Sequence, residues 1–124
     1  MNFYNLPPEV VHIADELTAF YKTQVAALRN VPVGETVTLY SYAYGEEGKR
    51  DFRRTAAFLL PVTSSVAGMT RPTIEQVVRH GYYASAADAL AVAIGKSEIE
   101  VANAARELTY HQKRRAELLA LRAR

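Results

Sequence analysis

Residues 87–106 read ADALAVAIGKSEIEVANAAR, and the way this stretch divides into elements decides the fold. Ser85, with Asp88 three residues on, opens a helix that runs to Ile94, where Gly95 supplies a residue tolerant of positive φ. Ser97 with Glu100 three residues later is the reciprocal capping box, in which each side chain satisfies the other's exposed backbone amide. Leu90, Ile94, Val101 and Ala104 then stand where a helix-turn-helix packs its two helices together, and Ala91 is small enough to let them approach. The second helix is expected to continue to the C-terminus with Val101, Ala105, Leu108, Ala116 and Leu119 on its apolar side. The same pattern also describes a plain αα-hairpin of the hydrophobic core.

Working outward, Thr73 caps a short helix over Ile74–Arg79, and Gly81 ends it. Residues 61–72, with Pro61, Pro72, paired serines and Gly68, read as a connection. At the other end, Pro7 and Pro8 suit a first helical turn. Val10, Ile13, Ala14, Leu17, Phe20, Tyr21, Val25 and Leu28 follow at helical spacing, until Asn30, Pro32 and Gly34 stop the helix. Residues 36–60 read two ways. Thr36, Thr38, Tyr40, Tyr42 and Tyr44 alternate with Val37, Leu39, Ser41 and Ala43 as a strand does, before a turn-like Gly45-Glu46-Glu47-Gly48 and a return through Asp51 to Leu60. Phe52, Thr55, Ala56, Leu59 and Leu60 fit a helical stripe as well, so a small β-hairpin is expected over 36–60 with its strand at 36–44. The expected fold is mainly α, α+β at most. It forms a single domain over 1–124, with the N-terminal helix and hairpin in 1–60 and a helical half in 73–124.

With 124 residues, 49% hydrophobic and 23% charged, the composition is that of a globular domain rather than a disordered or fibrous chain. Cysteine is absent, which removes disulfides, thiolate metal sites and cysteine nucleophiles. Met1–Pro8 carries neither a basic stretch nor an apolar run of signal-peptide length, and Ala56–Met69 is too short to span a bilayer, so a cytoplasmic chain without a membrane segment is expected. Charge is uneven. Residues 1–48 hold two basic and six acidic side chains, whereas 49–124 hold thirteen and seven. A basic half suits a nucleic-acid partner, or attraction between the unlike halves of neighbouring subunits.

Ala93-Ile94-Gly95-Lys96-Ser97 followed by Val101-Ala102-Asn103-Ala104 resembles the helix-turn-helix of plasmid and chromosome partition proteins of the ParB type, over about 20 residues. The resemblance implies contact with double-stranded DNA by Lys96, Ser97, Asn103 and Arg106, and a homodimer that reads a symmetric site. The chain departs from that family at Glu98-Ile99-Glu100, where the family tends to place arginine or serine. Lys113 and Arg114 form a further basic group able to meet phosphate. Gly81 to Ala87 also resembles the helix junction of ribbon-helix-helix antitoxins, although no strand stands at the required distance before it.

Other patterns lead nowhere. Gly95-Lys96-Ser97 imitates the end of a P-loop, but Leu90 occupies the place of that motif's first glycine. His12, Asp15 and Glu16 share a helix face without a second ligand pair, and no serine sits in a nucleophile elbow. No metal, cofactor or catalytic residue is assigned, and an enzyme is not expected. Tyr40, Tyr42 and Tyr44 on one side of a strand suit core packing, a protein interface or base stacking. The expected function is a non-enzymatic, homo-oligomeric DNA-binding protein. The alternative is a structural or adaptor subunit of a phage particle or other assembly, or a protein-binding inhibitor, with those tyrosines as contacts.

Overall fold

Pro7 and Pro8 set the backbone where the chain enters its first helix: a 3-10 turn over Pro8–Val10 leads straight into α1, Val11–Arg29. The computed structural model describes residues 6–43, 46–63 and 71–124. α1 buries Ala14, Gln24, Val25 and Leu28, with Leu17, Phe20 and Tyr21 on the margins of the core, as the sequence spacing predicts. After Asn30 the chain turns at Gly34, whose φ of 95° suits a residue without a Cβ. The Gly34 amide donates to the Arg54 carbonyl at 2.7 Å and the Arg54 amide to the Glu35 carbonyl at 2.9 Å, closing the open end of the hairpin that follows.

That hairpin pairs β1, Thr36–Ala43, antiparallel with β2, Glu46–Arg54, and β3, Leu59–Pro61, joins the far edge of β2 to give the order β1-β2-β3. Strand pairing prevails over the helical stripe because a period of two places Leu39 and Phe52 together on one face, and these with Leu59 are fully buried. One boundary differs from expectation: Glu46-Glu47-Gly48, turn-like in composition, lies inside β2 opposite Ser41–Ala43. Gly48 faces Ser41, and a Cβ there would stand 3.1 Å from its Oγ, so the glycine serves the ladder rather than a turn. Tyr44 lies outside the described residues.

The helical half begins as the sequence predicts. Thr73 and Gln76 form the complete capping box of α2, Ile74–Arg79, and Gly81, at φ 95°, ends it. α2 is tied to α1 by the Tyr21 hydroxyl, which donates to the Glu75 carbonyl, and by the Arg29–Glu75 ion pair. Tyr83 exchanges two backbone hydrogen bonds of 2.8 Å with Tyr40, occupying part of the β1 edge. Ser85 then caps α3, accepting from the Asp88 amide at 3.1 Å. α3 runs from Ala86 to Arg122. The main core gathers Val25 and Leu28 of α1, Leu39 and Phe52 of the sheet, Val77 and Val78 of α2, and Ala89 and Val92 of α3. A smaller cluster joins Val10 and Ala14 to Ile99. The architecture is mainly α with one small antiparallel sheet.

Tyr83 is 4% exposed, with its ring 5.5 Å from that of Phe20. Burial, and secondarily the Tyr21 phenol beside it, push its hydroxyl up to about 12. The folded state therefore holds this proton more tightly than the unfolded chain. The stability so contributed is complete below pH 10 and is lost as pH rises through about 12. The loss amounts to at most about 3 kcal/mol. Absorbance titration at 295 nm should include one phenol that ionises near pH 12 and that is missing from Tyr83→Phe. Tyr83→Phe should flatten the fall in urea stability between pH 10 and 12, and an equal fall in both proteins would refute this assignment.

Candidate functional site

The pattern that reads as two helices is one. α3 is a continuous α-helix of 37 residues passing through Gly95 without a turn, so the helix-turn-helix expected over residues 87–106 is not formed. Gly95 is buried against α1, and a Cβ at this position would lie 3.2 Å from Leu17 Cδ2 and 3.4 Å from Ile13 Cγ2. The glycine thus provides close approach between helices, a use served by its size rather than by its φ. Ala89, Val92 and Ile99 are buried on the same side, and Ile99 is fully covered. A break at Gly95 would uncover Ile99, and that loss outweighs the roughly 1 kcal/mol that glycine costs a helix interior. Ser97 consequently sits exposed in mid-helix, and its spacing to Glu100 caps nothing.

The residues assigned to DNA contact fare accordingly. At about 100° per residue, Lys96, Asn103, Arg106, Lys113 and Arg114 follow the side of α3 that packs on α1, and Ser97 lies on the opposite side. Lys96 and Asn103 are half-buried against the body. Lys96 lines a cavity of about 250 Å³ with Leu17, Thr18, Tyr21, Arg79, Tyr83 and Val92. Arg106 borders a shallow groove with Pro7, Pro8 and Glu9. Arg114 stands 3.6 Å from Glu117 on the bare end of the helix, where Lys113 is also exposed. Five of these six groups share a side of α3, but that side faces the protein's own body at Lys96 and Asn103, because the turn meant to re-aim them is absent. Among the described residues no group of three or more His, Asp or Glu side chains could hold a metal ion. No helix there is long and apolar enough to cross a membrane.

The expected tyrosine ladder is drawn into the body. Tyr40 and Tyr42 are half-buried and pack against the main core, Tyr40 through its pairing with Tyr83. Tyr42 has a second role, bounding a cleft of about 790 Å³ together with Leu90, Ile94, Ser97 and Val101 of α3.

This cleft belongs to a feature that sequence reading placed inside the protein. Leu90, Ile94, Val101, Leu108 and Leu119 follow one another at separations of 4, 7, 7 and 11 residues, all close to whole turns, so they fall within about 40° of one another. Each is between 39% and 69% exposed. Their line lies about half a turn from Ala89, Val92, Gly95 and Ile99. α3 is thus apolar on two opposite sides: one is covered by α1 and the sheet, the other is open. From Ala104 to Arg124 every residue is exposed. Leu90, Ile94, Val101 and Ala104, the residues that a helical hairpin would have buried between its arms, are the same ones the straight helix leaves uncovered. The missing clue was phase: Ala89, Val92, Gly95, Ile99 and Ala102 keep one helical register across the glycine.

No protein-family model, no curated protein and no solved structure matches the chain.

If Gly95 is a contact glycine inside a helix, Gly95→Ala should change urea stability by less than about 1 kcal/mol, the gain in helix propensity offsetting the tight Leu17 contact. Gly95→Leu should lose about 2–3 kcal/mol by overpacking. A turn glycine would reverse the emphasis, with alanine alone already destabilising by about 1 kcal/mol.

Proposed function

We propose that this chain is a non-catalytic subunit of a protein assembly, which offers the open side of α3 to another polypeptide helix. The observation that carries this reading is the apolar line from Leu90 to Leu119, exposed along roughly 44 Å of helix. Exposed large apolar side chains that recur along one side of a helix, flanked by charge, mark a site of association. The bare half of α3 adds to the argument. A segment exposed at every residue holds its helix largely by propensity, which is marginal in water, whereas packing along an apolar side stabilises it. The composition suits such a role: Ala104, Ala105, Leu108, Ala116, Leu118, Leu119 and Ala120 are strong helix formers, and Lys113, Arg114 and Arg115 keep the segment soluble.

DNA binding was the reading that depended on a turn at Gly95. Without a separate second helix it retains the basic residues near the C-terminus, whose attraction for phosphate is blind to sequence.

The double variant Val101→Glu with Leu108→Glu separates the two. Both side chains are exposed in the single chain, so the variant should still fold by circular dichroism, its thermal midpoint lowered only by the stability that association adds. Co-purification of a tagged wild-type chain with a stoichiometric partner, whether its own copy or another chain, should disappear in the variant. The reading is overturned if the wild-type chain stays alone, takes up only duplex DNA with an affinity that falls steeply in salt, and is unaffected by the two glutamates.

A further inference from the structure

Building on the assembly reading, we infer that the occupant of the open side of α3 is a second copy of α3, lying antiparallel across a two-fold axis near Ala104 and Ala105. Three features of the helix point to its own copy. The first is the symmetry of the apolar line. Reversed about a centre between residues 104 and 105, Leu90 meets Leu119 and Val101 meets Leu108, as an isologous contact demands. Ile94 is the exception, meeting Arg115, whose aliphatic stem covers apolar surface while its guanidinium stays in water. At the centre, Ala104 and Ala105 are small enough for the two backbones to approach closely, which favours the short interaxial distances of tightly packed helices.

The second feature is charge. Of the charged residues within about 100° of the apolar line, those in the first half of α3 are Glu98 and Glu100 and those in the second half are Arg115 and Arg122. An antiparallel pair lays each acidic half along a basic half. A parallel pair would superpose the two basic halves, so electrostatics selects the orientation.

The third is shape. Each body lies mainly on the far side of its helix and reaches no further than Thr109, through Pro7, Pro8 and Glu9, while every α3 residue from Ala104 onward is exposed. In the antiparallel arrangement the two bodies sit at opposite ends, and each bare half crosses the partner's first half. Its last turns, with Leu119 exposed on the open side, then reach the cleft between Tyr42 and Leu90, Ile94 and Val101. The two-fold axis fills both clefts by the same contact. The cis hairpin that the sequence pattern suggests is thus realised between two chains.

Because the chain has no cysteine, single substitutions report the arrangement cleanly. Leu90→Cys, Val101→Cys, Leu108→Cys and Leu119→Cys all fall at exposed positions, and circular dichroism confirms that each variant folds. Light scattering should give the wild-type chain twice the mass of the monomer. On mild oxidation, an equimolar mixture of Val101→Cys and Leu108→Cys should yield the 101–108 disulfide as its dominant product, and Leu90→Cys with Leu119→Cys should behave likewise. Equivalent positions lie several residues apart across the axis, beyond disulfide reach. Dominant 101–101 and 108–108 products would overturn the antiparallel arrangement. A monomer at all concentrations would overturn self-pairing altogether. If the glutamate double variant still loses a different stoichiometric partner, the assembly reading survives that result and only the identity of the occupant falls.

Discussion

The contact between α1 and α3 at Gly95 governs what the rest of the molecule can do. Leu17 and Ile13 approach the helix backbone so closely that a Cβ at that position would lie only 3.2 and 3.4 Å from them, and the approach holds Val92 and Ile99 against the body on either side of the glycine. A helix fixed one turn before and one turn after a residue cannot bend there without uncovering both neighbours. The rigid rod that results carries its second apolar side, about half a turn away, outward along its whole length. Burial on one side therefore produces exposure on the other, and the functional reading follows from that geometry.

The body beneath the rod is arranged to support its first half alone. The sheet contributes Leu39 and Phe52, α2 contributes Val77 and Val78, and the Tyr40–Tyr83 pairing anchors the segment just before Ser85, where α3 starts. Past Asn103 every residue of α3 is exposed, with only the Pro7–Glu9 turn beside it as far as Thr109, although leucines persist at helical spacing. A solvated terminal helix has no use for leucines on a line shared with Ile94 and Val101. In the proposed assembly those leucines meet a neighbouring helix, and the change from acidic to basic along α3 favours an antiparallel one.

Where local chemistry alone decides an element, the residues were legible. The Pro7-Pro8 entry to α1, the Thr73–Gln76 box, Gly81 as a left-handed stop and Ser85 as a cap all act within four residues of themselves. The hairpin was partly legible: the alternation of residues 36–43 gave β1, but Glu46-Glu47-Gly48 has the composition of a turn and becomes strand only because β1 pairs with it. Gly95 and the Ser97–Glu100 spacing were misleading for a related reason. A capping box has the same sequence whether or not a helix starts there, and the choice rests with Leu17 and Ile13, some 80 residues away in the chain. The residues of the candidate interface were visible as an apolar pattern; that its cover would not come from the same chain was not.

The continuity of α3 through Gly95 is the claim on which everything else rests, and an intrachain distance tests it most directly. Spin labels attached at Ala87→Cys and Ala120→Cys, both exposed positions on the helix, would be read by pulsed dipolar spectroscopy in protein diluted with unlabelled chain. A single straight helix places them about 50 Å apart. A steep turn at the glycine would bring them below about 40 Å and would contradict the account.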